Sequence, residues 1–368
     1  MSAADSRIQS SIELLIHREV DTGSFPSAVW AVGDSRGILA SGALGHAALE
    51  PVSVEARLDT IYDVASLTKV LVTWTISLLA VEKGSVALES SVSGVLRELA
   101  DTPYKATTWA DFLSHRSGID AWFPLYTKGR DRESYLRETL LVPPACAQRE
   151  RVVYSDLGYL ILQLAIERLF GRELDELAKE WIFEPLGMKD TTYRPPARLR
   201  ERIAATEDSR EFEHKMVRAK GIEFDGFPHG IVHGEVHDGN AWGMGGVAGH
   251  AGVFSTVEDL MEFGQRILAG PFPVGRSLVN ESLRSHTEGM NDNRGLGWAL
   301  YTSEGAGSVL SQSSFGHTGF TGTSLFIDPE ADRVMVLLTN RMHPRSSGAD
   351  MKRIRQEFHR LAIGGGKA

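Results

Sequence analysis

Apolar side chains at Ile8, Ile12, Leu15, Ile16 and Val20 recur every three or four residues, the interval that lines one face of a helix. Asp5 and Ser6 stand before them as candidate caps, and Gly23 and Pro26 close the run. Two β-like runs follow at 28–32 and 38–41, separated by Gly-Asp-Ser-Arg-Gly, which is turn chemistry for a hairpin. From about residue 66 the pattern becomes helical, with segments ending at Gly84 and at 109–114, 157–171, 173–183 and 257–268, joined by long Gly-, Pro- and His-bearing loops. Strand-like runs return at 297–301, 323–327 and 334–339, and a last helix is expected from about 350 to 361. Strands that lie far apart in sequence bury their faces by sharing one sheet. The pattern therefore predicts an α+β fold: a mainly antiparallel sheet flanked by helices, built from residues 1–70 and 265–368, with a mainly helical lobe over 71–264. A cleft between the two is the expected site.

Composition narrows this picture. A chain of 368 residues exceeds the size at which one core stops growing, which fits two lobes. With 39 basic and 48 acidic residues the net charge is -9, and no Lys/Arg-dense run could track a phosphate backbone, so nucleic acid is not an expected partner. The single cysteine, Cys146, allows no internal disulfide and fits a reducing compartment. The first twenty residues lack a basic segment followed by an apolar one, so the expected location is cytoplasmic. The longest apolar stretch, 70–81, contains Thr73, Thr75 and Ser77 and is shorter than the ~20 residues a membrane span needs. It reads as a buried helix. Nothing in the sequence sets the oligomeric state.

Chemistry first surfaces in Ser66-Leu67-Thr68-Lys69, directly before that apolar helix. Positions i and i+3 share a helix face, so the Ser66 hydroxyl and the Lys69 amine can meet. Serine needs an adjacent base to become a nucleophile, and the helix N-terminus offers N–H groups to a developing oxyanion. Four residues with two free positions also occur by chance, and a capping serine with a surface lysine fits them equally well. Lys69, however, is the only charge between Asp63 and Glu82, and a lysine on a buried segment marks a functional site.

Further segments stand in order along the chain: 59–65 leading into Ser66, Leu-Ser-His-Arg-Ser-Gly-Ile at 113–119, Tyr-Ser-Asp-Leu-Gly-Tyr at 154–159, Phe-Glu-Pro-Leu-Gly-Met at 183–188, and Gly-His-Thr-Gly-Phe-Thr-Gly at 316–322. With this set the chain resembles the serine β-lactamase, penicillin-binding protein and family VIII carboxylesterase superfamily, in its class C-like branch. The resemblance implies a β-lactamase/transpeptidase-like fold and a cofactor-free mechanism through an acyl-enzyme on Ser66. It implies that Lys69 and Tyr154 move protons and that the N–H groups of Ser66 and Phe320 form the oxyanion hole. His317, Thr318 and Gly319 would line the substrate, with Gly319 letting it lie against the backbone. Two positions depart from the pattern. The family most often has asparagine at Asp156, which here either faces Lys69 and keeps it protonated or caps the next helix. His317 stands where many members carry lysine, and a mostly neutral imidazole anchors a carboxylate less firmly.

Two groups of side chains stay open. His229, His233 and His237 fall at i, i+4 and i+8 beside Asp238, the spacing of a metal site on a helix, but Gly226, Pro228, Gly230, Gly234 and Gly239 interrupt the segment, so no metal is expected. Trp122, Phe123 and Tyr126 could line an acyl or alcohol pocket, with Trp122 the substrate-binding candidate, or belong to the core. Because of His317 and Asp156, the expected activity is that of a carboxylesterase on small neutral esters. The alternatives are a β-lactamase or D,D-carboxypeptidase, which would need export, and a non-catalytic sensor.

Overall fold

The computed structural model describes residues 2–301, 309–345 and 348–364. Ser2, earlier than the expected caps, starts the first helix: its side chain accepts from the Asp5 N–H while the Asp5 carboxylate accepts from the Ser2 N–H. Helix α1 (Ala3–Asp21) buries Ile8, Ile12, Leu15 and Ile16 as their spacing predicts. The hairpin follows as β1 (Ser27–Asp34) and β2 (Gly37–Ala48). Strand β2 runs seven residues past the expected end, because Gly42 and Gly45 hide its pattern. A Cβ at Gly42 would lie 2.9 Å from the Trp30 indole, so the glycine makes room for it.

After β3 (Val54–Glu55) and β4 (Tyr62–Asp63) comes helix α2, Ala65–Glu82, five residues longer at its start than the apolar stretch. It is long and apolar enough to cross a membrane, yet 83% of that window is buried inside the protein, where Trp74 packs edge-on against Trp298. Helices α3 (Trp109–Leu113), α4 (Arg132–Leu141) and α5 (Asp156–Phe170) pack nearby, with others between them. Helix α4 escapes the hydrophobic pattern because its sequence, RESYLRETLL, has little apolar period; Asp131 caps it. The strand β5 (Thr192–Tyr193), helix α6 (Glu211–Ala219), strand β6 (Val253–Ser255) and helix α7 (Val257–Leu268) follow. Strands β4, β6 and β5 form a small sheet whose members are too short to leave an alternating signature.

The chain ends in β7 (Ala299–Leu300), β8 (Phe315–Thr318), β9 (Ser324–Asp328), β10 (Arg333–Thr339) and helix α8 (Met351–Ala362). The main sheet is antiparallel, in the order β3-β2-β1-β10-β9-β8-β7. The two ends of the sequence meet at its centre, where Ala28 pairs with Thr339. Side chains alternate across it: Trp30 and Val32 pack with Ile12 of α1 and Phe358 of α8, whereas Val29 and Ala31 join Leu260 and Phe263 of α7 in the larger core. The fold is a mixed α+β one in which β8 ends beside the start of α2.

Candidate active site

The turn ahead of Ser66 is held from several directions. Asp63 accepts from the Ala65 N–H at 2.9 Å and the His237 N–H at 2.8 Å, while Thr321 and Thr323 donate to the Asp63 and Val64 carbonyls. These bonds hold Ala65 at φ 48°, a left-handed conformation costly for alanine, and so present Ser66 at the head of α2. At a helix head the first N–H groups have no partner within the helix.

One turn on, Lys69 is completely buried. Its ammonium donates to Ser66 Oγ at 3.0 Å, to Asp156 Oδ1 at 2.7 Å and to the His250 carbonyl at 3.2 Å. Three acceptors for three N–H bonds describe a protonated amine. Burial alone would push its pKa down, but the hydrogen-bonded Asp156 carboxylate, with the Tyr154 phenol beside it, outweighs that and holds it above the ordinary lysine value. The open question over Asp156 is thus resolved in geometry. Ser155 is the cap of α5, accepting from the Gly158 N–H at 3.1 Å, and Asp156 turns to Lys69.

Tyr154 precedes that cap, with its ring 4.8 Å from Lys69 Nζ. It packs between His115, at a centroid distance of 4.5 Å, and His317, at 5.9 Å, with the Arg294 guanidinium 5.4 Å from the same ring. His317 is buried on β8, its Nδ1 2.9 Å from the Thr318 carbonyl. Burial, followed by the charges of Lys69 and Arg294, pushes its pKa well below the usual histidine value, so it is neutral at pH 7. Gly319 is required by the protein itself, because a Cβ there would meet Thr323 Oγ1 at 2.0 Å and the Val64 carbonyl at 2.5 Å. The missing side chain lets the end of β8 close on the Ser66 turn.

Ser66, Tyr154, Asp156, Thr318, Gly319, Phe320 and Trp122 line one cleft of about 430 Å³. Phe123 packs against the core, and Tyr126 is buried, its hydroxyl donating to Glu213 at 2.7 Å. The histidine series does not assemble. His229 is exposed, His233 Nε2 lies 2.8 Å from the Ile203 carbonyl, and His237 Nε2 lies 3.0 Å from Glu207. No helix covers 229–237, as the glycines predict. A different set, Asp156, Asp238 and His250, brings its ligand atoms within 4.8 Å of one another, and there the Lys69 ammonium already supplies a cation to Asp156.

Several cleft residues were not anticipated. Asp238 accepts from His250 Nε2 at 2.9 Å; burial would raise its pKa, but the charges of His250 and Lys69 and these hydrogen bonds hold it below the usual carboxylate range. Glu213, from α6, is buried and accepts from Tyr126 and from the Gly239 N–H; burial and the charge of Asp238 push it up to about 7. Arg341 and Arg355 line the same cleft, and among the described residues neither has an acidic partner. Arg355, on α8, donates to the Gly319 and Thr323 carbonyls, while its Nε has no partner among those residues. Burial and the charge of Arg341 lower it to about 9. In the sequence, Asp238 is legible only as a neighbour of the histidine series, His250 only as a loop polar residue and Arg355 only as a helix cation.

Comparison with known proteins gives the same architecture. The chain is 29% identical over 363 residues to the N-acetylmuramyl-L-alanine amidase of Bacillus subtilis (strain 168), covering 90% of this chain and 80% of that one. The solved structure of EstCE1, a hydrolase with promiscuous acyltransferase activity, superposes with a TM-score of 0.76 at 18% identity, over 98% of this chain and 100% of the other. A class C β-lactamase superposes with a TM-score of 0.74 at 16% identity, over 96% of each chain. The Beta-lactamase family profile matches residues 12–359. With this match across almost the whole chain, and a serine, a lysine and a tyrosine gathered in one cleft, the chain belongs to the Beta-lactamase family and is a hydrolase of the serine β-lactamase fold.

Proposed function

We propose that the protein hydrolyses carboxylic esters through an acyl-enzyme on Ser66. The observation that carries this reading is the Ser66–Lys69–Asp156 chain beside Tyr154. Because Lys69 rests as an ammonium, it donates to Ser66 Oγ and cannot also take its proton; that duty falls to Tyr154. Ser66 Oγ attacks the ester carbonyl, the N–H groups of Ser66 and Phe320 hold the oxyanion, and the proton returns through Tyr154 to the leaving alcohol. Water then enters by the reverse of these steps and releases the acid. Lys69 holds the charge that builds on the oxygens around it. The neutral His317 supports an ester without a carboxylate, since β8 presents no cation to one.

Arg341 and Arg355 favour a second reading, an acyl donor that carries its own anion, such as an amide or peptide ending in a carboxylate. Arg355 is solvated only by two backbone carbonyls and its Nε has no partner among the described residues, so a bound anion would complete its hydrogen bonding and match its charge. Rates on p-nitrophenyl butyrate, nitrocefin and an acyl-D-alanyl-D-alanine peptide separate the readings. The first expects the butyrate to have the highest kcat/KM. Turnover of either anionic substrate at a comparable rate would favour the second.

A further inference from the structure

The segment 113–119 has so far no part in the chemistry, although His115 lies against Tyr154. His115 is buried, at φ 58°, and touches the chain on both sides of the tyrosine. Its carbonyl accepts from the Val153 N–H at 2.9 Å, and its Nδ1 accepts from the Ser155 N–H at 3.1 Å. Its ring lies 4.5 Å from the Tyr154 ring and is stacked at 5.0 Å on Tyr159, whose hydroxyl is tied to the Leu113 carbonyl at 3.0 Å.

A backbone N–H can only donate, so Nδ1 must carry a lone pair and the ring proton must sit on Nε2. Protonation of Nδ1 would break the bond to Ser155. The geometry thus requires a neutral ring in one tautomer, and burial with the charges of Arg294 and Lys69 around it favours the same state. Tyr154 itself is faced by Lys69 from α2, by His317 from β8 and by Arg294 from the loop before β7. These could pull the phenol to several positions; among its neighbours, His115 grips the backbone on each side of it.

We propose that His115 is a positioning residue for Tyr154: a neutral imidazole that fixes the peptide on both sides of the tyrosine and the plane of its ring, and so sets where the phenol stands relative to Ser66 and Lys69. This rests on the reading in which Tyr154 moves the Ser66 proton.

The test uses two variants with different losses. H115N keeps an acceptor for Ser155 and is the side chain that best tolerates a left-handed backbone, but it removes the ring. H115F keeps a ring and removes the acceptor. For at least one that retains the wild-type circular dichroism spectrum and melting temperature, kcat on p-nitrophenyl butyrate is expected to fall about tenfold to a hundredfold with KM within about twofold, the scale of a misplaced proton-transfer group. In a Tyr154→Phe background the same substitution should cost less than about twofold, because the group it positions is gone. A loss equal in both backgrounds, a loss that follows melting temperature, or no loss would each overturn the proposal. Ser66→Ala assayed alongside keeps the two ideas apart: retained turnover in that variant sinks the acyl-enzyme reading, whereas an additive His115 effect sinks the clamp alone.

Discussion

The cleft has two walls that treat charge in opposite ways. On the α2 and α5 side the groups around Ser66 are matched at short range: Lys69 by Asp156 at 2.7 Å, and Asp238 by a hydrogen bond from His250 at 2.9 Å. On the β10 and α8 side, Arg341 and Arg355 hold backbone carbonyls and face no carboxylate among the described residues. Paired charges define a resting state that substrate need not complete. Cations held only by carbonyls keep a net charge that an anionic ligand could match. On the proposed reading, the first wall serves the chemistry and the second selects the substrate.

The comparison fails first if the paired wall does not hold the nucleophile. Ser66→Ala is expected to lower turnover of the best ester by about 10⁴-fold or more and to abolish labelling by a fluorophosphonate, read by intact-protein mass. A smaller effect follows from Asp156→Asn, which keeps the side-chain shape at the start of α5 and removes its charge. Since Asp156 raises the Lys69 pKa, its loss lowers that pKa; the ammonium then survives over a narrower range, and the alkaline limb of kcat/KM should move to lower pH. A limb that stays in place would mean that Lys69 is not the group titrating there.

The unpaired wall is tested by Arg341→Ala. It should raise KM for p-nitrophenyl hemisuccinate about tenfold while changing p-nitrophenyl butyrate less than about twofold, a gap of about 1.4 kcal/mol between charged and neutral acyl groups. Equal effects on both substrates would remove the selective role. The smallest effect on turnover is expected at Glu213, the buried acid in the cleft lining, where the change is read in stability. Its folded pKa lies above the unfolded value of 4.5, so the folded state binds the extra proton and stability falls as pH rises from about 4.5 through about 7. Glu213→Gln should therefore be neutral near pH 4.5 and stabilising at pH 8, by at most about 3 kcal/mol. Melting temperatures at the two pH values check the sign.

Legibility in the sequence followed locality. Ser66 and Lys69 are one helical turn apart, and Tyr154 adjoins a helix cap, so short-range geometry and the ordered motifs were enough to find them. The side chains of α1 and β1 obey their periods and fold as read. Residues brought in from afar left no such mark. Arg355 sits on an amphipathic helix where any cation looks like solvent-facing decoration, and only the packing of α8 against the sheet turns it toward Gly319. Glu213 reads as part of the charged run Glu-Phe-Glu-His-Lys, although α6 buries it. Gly319 was found by its motif, but the close contact it permits with Val64 and Thr323, from separate parts of the chain, left no mark in the sequence.

The pairing of Ala28 with Thr339 has a consequence for how the protein is made. Ser66 leaves the ribosome early, but the strand that sets His317 to Phe320 beside it, and the β10 strand that completes the sheet between β1 and β9, are synthesised near the end. A growing chain therefore carries its nucleophile for most of its synthesis without the surroundings that make it reactive. On the proposed acyl-enzyme reading, chemistry starts only when the last strands dock, so prematurely released fragments are expected to be inactive rather than partly active.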